Sequence, residues 1–313
     1  MKRRNPFLPA ALVLLGVGGL IVWLLTHPTR QEPISEEQAY AAIKKMGGSV
    51  NRQAKSITFG FATGTFSGNL TDRDLVYFKG LPDLRTLRLA GSSITDAGLE
   101  NLSGLTELRS LELWVYMSDA GLAHLQPLTR LEKLTIHETR ITDAGLIYLK
   151  GCNLQELDLA CNAITGEGFV HLKGMADLRV LVLYSTHVND AGLAHLKELQ
   201  NLGTLFLSHT KITDKSMEYI KQNRALYQLE LENTAITDLG LAQLKDLTWL
   251  RYLNLNKTKI TDAGLTHLQE MRQLEILRLN DTAVTGAGLT YLKGLRALKV
   301  LQFAPVKGNG RRD

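Results

Sequence analysis

The chain has 313 residues, 44% of them hydrophobic, and a formal net charge of +5. This apolar content is enough for one or two domains with a sizeable core, which excludes a disordered chain. Residues 1–30 carry four positive charges and no acid, and residues 304–313 add a net +2, so residues 31–303 have a net charge of −1. Nucleic-acid binding needs positive charge clustered on the folded surface, so we expect no nucleic-acid partner.

An uncharged stretch, "FLPAALVLLGVGGLIVWLLT", occupies residues 7–26. As a helix it would span roughly 30 Å, one hydrocarbon core, and it is longer than the usual apolar region of a cleaved signal peptide. Three basic residues precede it within the N-terminal segment 1–6. The positive-inside rule predicts a cytoplasmic N-terminus, a single-pass transmembrane signal-anchor helix, a linker at 27–34 and an extracytoplasmic remainder, periplasmic or at the cell surface. A cleaved signal peptide is the alternative.

The segment after the linker, "SEEQAYAAIKKMGGS", predicts an amphipathic helix. Ser35 and Gln38 have the spacing of a capping box, and Gly47 is a stop signal. The sequence "SITFGF" that follows at 56–61 has the composition of a short strand.

A repeated segment occupies most of the remaining chain. It reads "ITDAGL" at 94–99, 141–146 and 260–265, and "ITDLGL" at 236–241. Ten copies, spaced by 23 or 24 residues, align on one position after the threonine: Asp72, Asp96, Asp119, Asp143, Gly166, Asp190, Asp214, Asp238, Asp262 and Gly286. A fixed period of this length with L-x-x-L-x-L inside it indicates a solenoid of stacked coils.

The apolar positions of one repeat predict how a coil folds. In "LRYLNLNKTKI", Leu253 and Leu255 alternate and point inward from a short strand. Thr261 then caps a short helix, and Asp262 lies at the positive end of the helix dipole. One coil cannot bury its core alone, so we expect ten coils stacked at about 4.8 Å, with a parallel sheet roughly 45 Å long on the concave side.

Over about residues 35–303 this pattern resembles the leucine-rich repeat, in particular its cysteine-containing subclass, which occurs in F-box proteins and in a group of short-repeat bacterial proteins. The resemblance implies an α/β fold, a right-handed leucine-rich-repeat solenoid (horseshoe) with a parallel concave sheet and convex helices, preceded by the transmembrane helix. It also implies an N-terminal cap at 35–68, a repeat array at 69–303 and a basic tail at 304–313.

The ninth position of the repeat is often Cys or Asn in that subclass. Here it is mostly threonine, at Thr139, Thr186, Thr210, Thr234, Thr258 and Thr282. Threonine hydroxyls can bond to neighbouring backbone, so these residues predict a polar ladder along the array.

No residue pattern in the chain predicts an enzyme, a cofactor or a metal. Cys152 and Cys161 are separated by a strand that holds their thiols beyond disulfide distance, and neither has an implied base. The repeated histidine of "GLxHL" follows from duplication, and the aspartate column is better explained by helix capping than by calcium. The glycine-rich segment 59–69 lacks the Gly-Lys-Ser/Thr step of a phosphate loop.

The concave face is the candidate binding site. Counting the first leucine of each strand as one, positions three, five, seven and eight point at or border this face, and a solenoid can vary them without damage to its core. The predicted partner-binding residues are Trp114, His137, Tyr184, Val182, Phe206, Glu112, Asp158, Glu230 and Glu232. Aromatic residues on a rigid surface are typical of interface cores, so we predict a protein partner. A glycan of the cell envelope is one alternative, and an adaptor of the F-box type is another.

One repeat departs from the pattern. In "LELWVYMSDAGL", residues 111–122, Trp114 to Tyr116 occupy the turn and the repeat is one residue short. Either Trp114 lies on the binding face or one of these rings turns inward to fill a distorted coil. For Tyr116, which falls on the ninth position, we predict inward packing.

Overall fold

The computed structural model of the protein describes residues 33–60, 70–91 and 93–304. These residues form one twelve-stranded sheet in which each strand lies beside its neighbours in the chain. The strands are β1 (Ser49–Asn51), β2 (Ser56–Thr58), β3 (Thr86–Gly91), β4 (Ser110–Val115), β5 (Lys133–Ile136), β6 (Glu156–Asp158), β7 (Val180–Val182), β8 (Thr204–Phe206), β9 (Gln228–Glu230), β10 (Tyr252–Asn254), β11 (Ile276–Arg278) and β12 (Val300–Gln302). From β2 onward every pair is parallel, as the solenoid prediction requires.

Short helices follow the strands on the other side of the core. The α-helical pieces after the first are Asp96–Leu99, Asp119–Ala123, Asp190–Leu193, Met217–Ile220, Asp238–Gln243 and Asp262–Leu265. The 3₁₀ pieces are Asp74–Gly80, Glu100–Leu102, Asp143–Leu149, Glu167–Leu172, Ala194–Glu198, Asp214–Ser216, Thr266–Leu268 and Gly288–Leu292. Each is only one or two turns long, because the coil must return to the next strand within its 23 or 24 residues.

The first open edge of the sheet is covered by a helix and a hairpin. The first helix, α1 (Glu36–Lys45), begins with the predicted capping box, in which the Gln38 amide donates to Ser35 Oγ at 3.3 Å and the Ser35 amide donates to Gln38 Oε1 at 2.9 Å. Gly47 ends it at φ 89°. Strand β1 then pairs antiparallel with β2, whose other edge pairs with β3.

The membrane prediction needs a correction. Among the residues that the structure describes, no helix is both long enough and apolar enough to cross a bilayer. The proposed anchor at 7–26 lies outside those residues, as does the tail from 305 onward. The predicted single-pass membrane protein, with a cytoplasmic N-terminus and an extracytoplasmic repeat domain, is therefore contradicted.

The core is a continuous column of leucine and isoleucine side chains. In the eighth coil Leu253, Leu255 and Ile260 are fully buried, and the equivalent residues of the other coils pack above and below them. Both cysteines are free thiols, as the intervening strand predicts.

The aspartate column links neighbouring coils, which the sequence-based assignment to helix capping missed. Asp238 lies in the first turn of its own helix, but it accepts hydrogen bonds from the next coil, from the Thr261 amide at 2.9 Å and the Thr261 hydroxyl at 2.6 Å. The same pair of bonds, to a threonine or serine one coil later, is made by Asp72, Asp96, Asp119, Asp143, Asp190, Asp214 and Asp262. The hydroxyl of Thr261 also caps its own helix, by accepting from the Ala263 amide at 3.2 Å.

The glycine of the repeat is explained by the same contact. A methyl group on Gly264 would overlap Asp238 Oδ1 and lie 2.9 Å from Asp238 Cγ. Only a residue without a side chain lets the aspartate of one coil approach the helix of the next. The Asp and Gly of "TDAGL" are therefore complementary between coils rather than within one coil.

The threonines of the ninth position bond to backbone as predicted. In five coils the hydroxyl donates to the carbonyl three residues earlier, at 2.6–2.8 Å, in Thr186, Thr210, Thr234, Thr258 and Thr282. Thr139 differs, because its hydroxyl donates at 2.6 Å to Asn162 Oδ1 of the next coil.

Candidate functional site

Strands β4 to β9 bring the predicted partner-binding residues together on one side of the sheet. We call the side that faces away from the core the concave face. Position five of successive strands is in direct register, with Glu112 beside Thr135, Asp158 beside Val182, and Phe206 beside Glu230. Six strands at the usual spacing cover about 24 Å, a span that suits a peptide or a loop of a partner.

Trp114 is half-buried near the end of β4 and remains on the concave face. Its ring stacks on the His137 ring with centroids 4.6 Å apart and planes tilted by 49°. Its indole Nε1 donates to Glu112 Oε1 at 3.1 Å. Glu112 is in turn held by Arg88, whose Nε donates at 2.5 Å and Nη2 at 3.1 Å. The ring is therefore oriented by contacts on the concave face and not by the core.

The short repeat contains a strand that is longer than those of the later coils. In the seven coils from the third to the ninth, the eighth position has left-handed backbone, at Glu138, Cys161, Ser185, His209, Asn233, Lys257 and Asp281. In the second coil β4 instead runs on through Val115 beside the equally long β3, and the turn that follows β4 is one residue shorter than the turn that follows β3. Val115 and Met117 fill the core at 4% and 1% exposure. Tyr116 is 48% exposed, with the Arg140 guanidinium 4.1 Å above its ring, so our prediction of inward packing was wrong.

His137 connects the aromatic residues to a carboxylate. It is only 7% exposed, and its ring meets the Tyr184 ring edge-on with centroids 6.1 Å apart. Its Nε2 lies 2.6 Å from Asp158 Oδ2, and this contact is ionic whenever the ring is protonated. The other oxygen of Asp158 accepts from the Ala160 amide at 3.0 Å. Trp114, His137 and Tyr184 thus form one continuous surface across four coils.

The environment of Tyr184 and Cys161 disfavours ionisation. Burial raises the pKa of the Tyr184 phenol, and the neighbouring Cys161 and Asp158 raise it further. Burial also raises the pKa of the Cys161 thiol, helped by the Glu138 carboxylate. The pKa of Cys152 is raised by burial as well. A nucleophilic cysteine needs a lowered pKa, so neither thiol is activated for catalysis.

The remaining predicted residues extend this surface with different degrees of exposure. Val182 lies between Asp158 and Phe206 in the register of the sheet and is 8% exposed, so it forms part of the floor and offers little contact area. Phe206 and Glu230 are half-buried beside each other.

Glu232 lies one coil beyond Phe206 and is paired with a lysine. It accepts from Lys257 Nζ at 2.9 Å, and this bond holds the Glu232 pKa below its usual range. Its carboxylate is thereby neutralised within the face and is less available to a partner than an unpaired acid.

Tyr252 is a concave residue that is absent from the predicted partner-binding set, because that set was chosen from positions five and seven. It occupies position three of its strand, where the Arg278 guanidinium lies 5.3 Å from its ring centroid. Burial and the Glu230 carboxylate raise the pKa of Tyr252 to about 12. The alternation of the strand already predicts that position three faces the concave side, and this signal was enough to include Tyr252.

The described part of the chain holds no group of three or more His, Cys, Asp or Glu side chains placed to bind a metal ion. The concave face has instead the composition of a recognition surface, with aromatic rings fixed by a rigid sheet and carboxylates beside them.

Comparison with known proteins agrees with the fold. A family model described as "Leucine Rich repeat" matches residues 80–103, 152–170 and 246–268. An internalin from Listeria monocytogenes is similar in structure, with 19% identity, a TM-score of 0.53, and coverage of 86% of this chain and 95% of that chain. A TDR receptor shares 15% identity with a TM-score of 0.55, over 74% of this chain but only 40% of the receptor chain. No curated protein sequence matches the chain.

The repeats, the parallel sheet and these matches together support a leucine-rich-repeat protein. At such low identity the structural likeness shows the fold alone. The family model and the two structures described above indicate no enzyme family.

Proposed function

We propose that the protein is a non-enzymatic interaction scaffold that binds a protein partner through its concave face. The observation that carries the proposal is the stacked set of Trp114, His137 and Tyr184 on a rigid parallel sheet. Partly exposed aromatic side chains that are already held in place give a large contact area at a small entropic cost, which is the composition of interface hot spots. The repeats are further proposed to belong to the cysteine-containing-like subclass, on the strength of "ITDAGL".

The fold of an internalin and of a receptor is consistent with this function, because solenoids of this kind offer an extended binding surface on the strand side. Half-buried Phe206 and Glu230 continue the proposed surface beyond Tyr184. Val182 contributes to its floor, and Glu112 and Asp158 hold Trp114 and His137 in position.

The test is capture of partners from an extract of the cells that express the protein. The full chain would be compared with a triple variant, Trp114→Ala, Tyr184→Ala and Phe206→Ala, after circular dichroism shows that both are folded. Trp249→Ala is the matched control, because Trp249 is 66% exposed and lies in the turn before β10 rather than on a strand.

We expect one protein to be captured by the wild type and by Trp249→Ala but not by the triple variant. Loss of more than about 2 kcal/mol of binding free energy on removal of central aromatic residues is usual for hot spots, so the captured band should disappear rather than fade. Equal capture by all three chains would refute the concave face as the binding site.

A further inference from the structure

Around its aromatic residues, the concave face carries more acidic side chains than basic ones. Three acids in this part of the sheet are each paired with a base: Glu112 with Arg88 at 2.5 Å, Glu156 with Lys133 at 2.6 Å, and Glu232 with Lys257 at 2.9 Å. Every lysine and arginine in these pairs is therefore already occupied by a carboxylate. The further base that we place on the face, Arg278 of β11, lies beside Tyr252, four strands from Tyr184.

Three further acids of the same face have no such base. Within the described residues no lysine or arginine lies in ion-pair distance of Glu138, Asp158 or Glu230. Among the described residues, the ion-pair contact of Asp158 is with His137, whose Nε2 lies 2.6 Å from Asp158 Oδ2. Around Trp114, His137 and Tyr184 the surplus of charge is thus negative.

Two of these acids flank the aromatic residues. Glu138 and Asp158 both act electrostatically on the Tyr184 phenol and help to raise its pKa. Tyr184 and Trp114 lie on either side of His137, and the buried His137 Nε2 makes no well-directed hydrogen bond. Aromatic faces attract cations, and the attraction is stronger where nearby carboxylates add to it.

We propose that the partner presents a guanidinium group, an arginine side chain, to the ring of Tyr184 beside the carboxylates of Glu138 and Asp158, with Trp114 on the other side of His137. This inference rests on the proposed function and specifies what the concave face recognises. Arginine fits better than lysine, because its planar guanidinium stacks on aromatic rings and can pair with two carboxylate oxygens at once.

The first test uses acetyl-arginine amide as the probe, and acetyl-citrulline amide, which has the same shape without the charge, as its control. In the full chain with Trp23→Phe and Trp249→Phe, Trp114 is the remaining tryptophan and its fluorescence reports on the site. Sodium chloride is added to the citrulline titration to match the ionic strength. We expect a saturable change with the arginine compound and no saturable change with citrulline.

The second test neutralises the surplus acids with Glu138→Gln and Asp158→Asn. Both changes keep the size of the side chain, and the new amide of Asp158→Asn would retain an oxygen to accept from the Ala160 amide. The control pair is Glu100→Gln with Asp246→Asn, two exposed acids that lie outside the strands. We expect binding of acetyl-arginine amide to weaken by about three- to thirtyfold in the first pair and to be unchanged in the control pair.

The outcomes separate this inference from the proposed function. Equal responses to the arginine and citrulline compounds, no saturable response to either, or equal loss in both pairs of variants would overturn the guanidinium site. If the captured partner is still lost in the aromatic triple variant, the concave face remains a protein-binding site and only its ligand chemistry has been misassigned. The citrulline comparison needs no acidic variant, so it holds even if Asp158→Asn weakens the fold.

Discussion

A double-mutant cycle between Asp238 and Gly264 tests the contact that we assign to the repeat motif. Replacing Asp238 by Ala removes two hydrogen bonds to a carboxylate, from the Thr261 amide and hydroxyl. Bonds to charged groups contribute about 1.5–3 kcal/mol each when buried, and this junction is partly exposed, so we expect a loss of about 2–4 kcal/mol in the free energy of unfolding.

Gly264→Ala should be destabilising in the wild-type chain. Its methyl group would overlap Asp238 Oδ1, and forced overlap of this kind costs about 1–3 kcal/mol. In the Asp238→Ala chain the nearest remaining obstacle is Ile260 Cγ2 at 3.2 Å, a distance that a small shift relieves. There the same change should be neutral or should stabilise by up to about 1 kcal/mol, because alanine favours a helix over glycine.

The assay is urea unfolding of the four chains, followed by circular dichroism and by tryptophan fluorescence. Repeat proteins can unfold in segments, so the cycle is read only where the two probes give the same transition. A coupling of at least about 1 kcal/mol between the two changes is expected. If Gly264→Ala costs the same with and without Asp238, the glycine is not required by the aspartate and our explanation of the motif is refuted.

Three further predictions concern pH, the core and the thiols. Burial alone would raise the pKa of Asp143, but hydrogen bonds from Gly168, Thr165 and Gly166 outweigh burial and lower this pKa. The Asp143 carboxylate therefore stabilises the fold fully above about pH 3.9, the pKa of an unfolded aspartate, and this stabilisation is lost as pH falls through the lowered native pKa. Urea unfolding should show a fall in stability as pH decreases below about 4, and Asp143→Asn should reduce that fall; an unchanged fall would contradict the assignment. Leu253→Ala should cost about 2–5 kcal/mol in thermal unfolding, whereas Tyr184→Ala should cost about 1–2, and equal losses would place Tyr184 in the core. Iodoacetamide at mildly alkaline pH should modify Cys161 more slowly than a free cysteine peptide, and an equal rate would mean that its raised pKa is misassigned.

The amino-acid sequence alone determined the architecture of the array, because the same apolar pattern recurs in every coil. Leu253 and Leu255 alternate as a strand does, and the structure buries both. Ser35 and Gln38 predicted a helix start, and they form the capping box. These features depend on the direction of a side chain within its own coil, which local periodicity fixes.

Only the tertiary structure decided which side chains of neighbouring coils contact each other. That Asp238 bonds to Thr261, 23 residues later, could not be read from the motif, because the same spacing also suits capping within one coil. Nor could the sequence decide whether Trp114 or Tyr116 turns inward. In the structure β4 extends through Val115, which pairs with Gly91 of β3, and His137 and Glu112 hold the indole on the concave face.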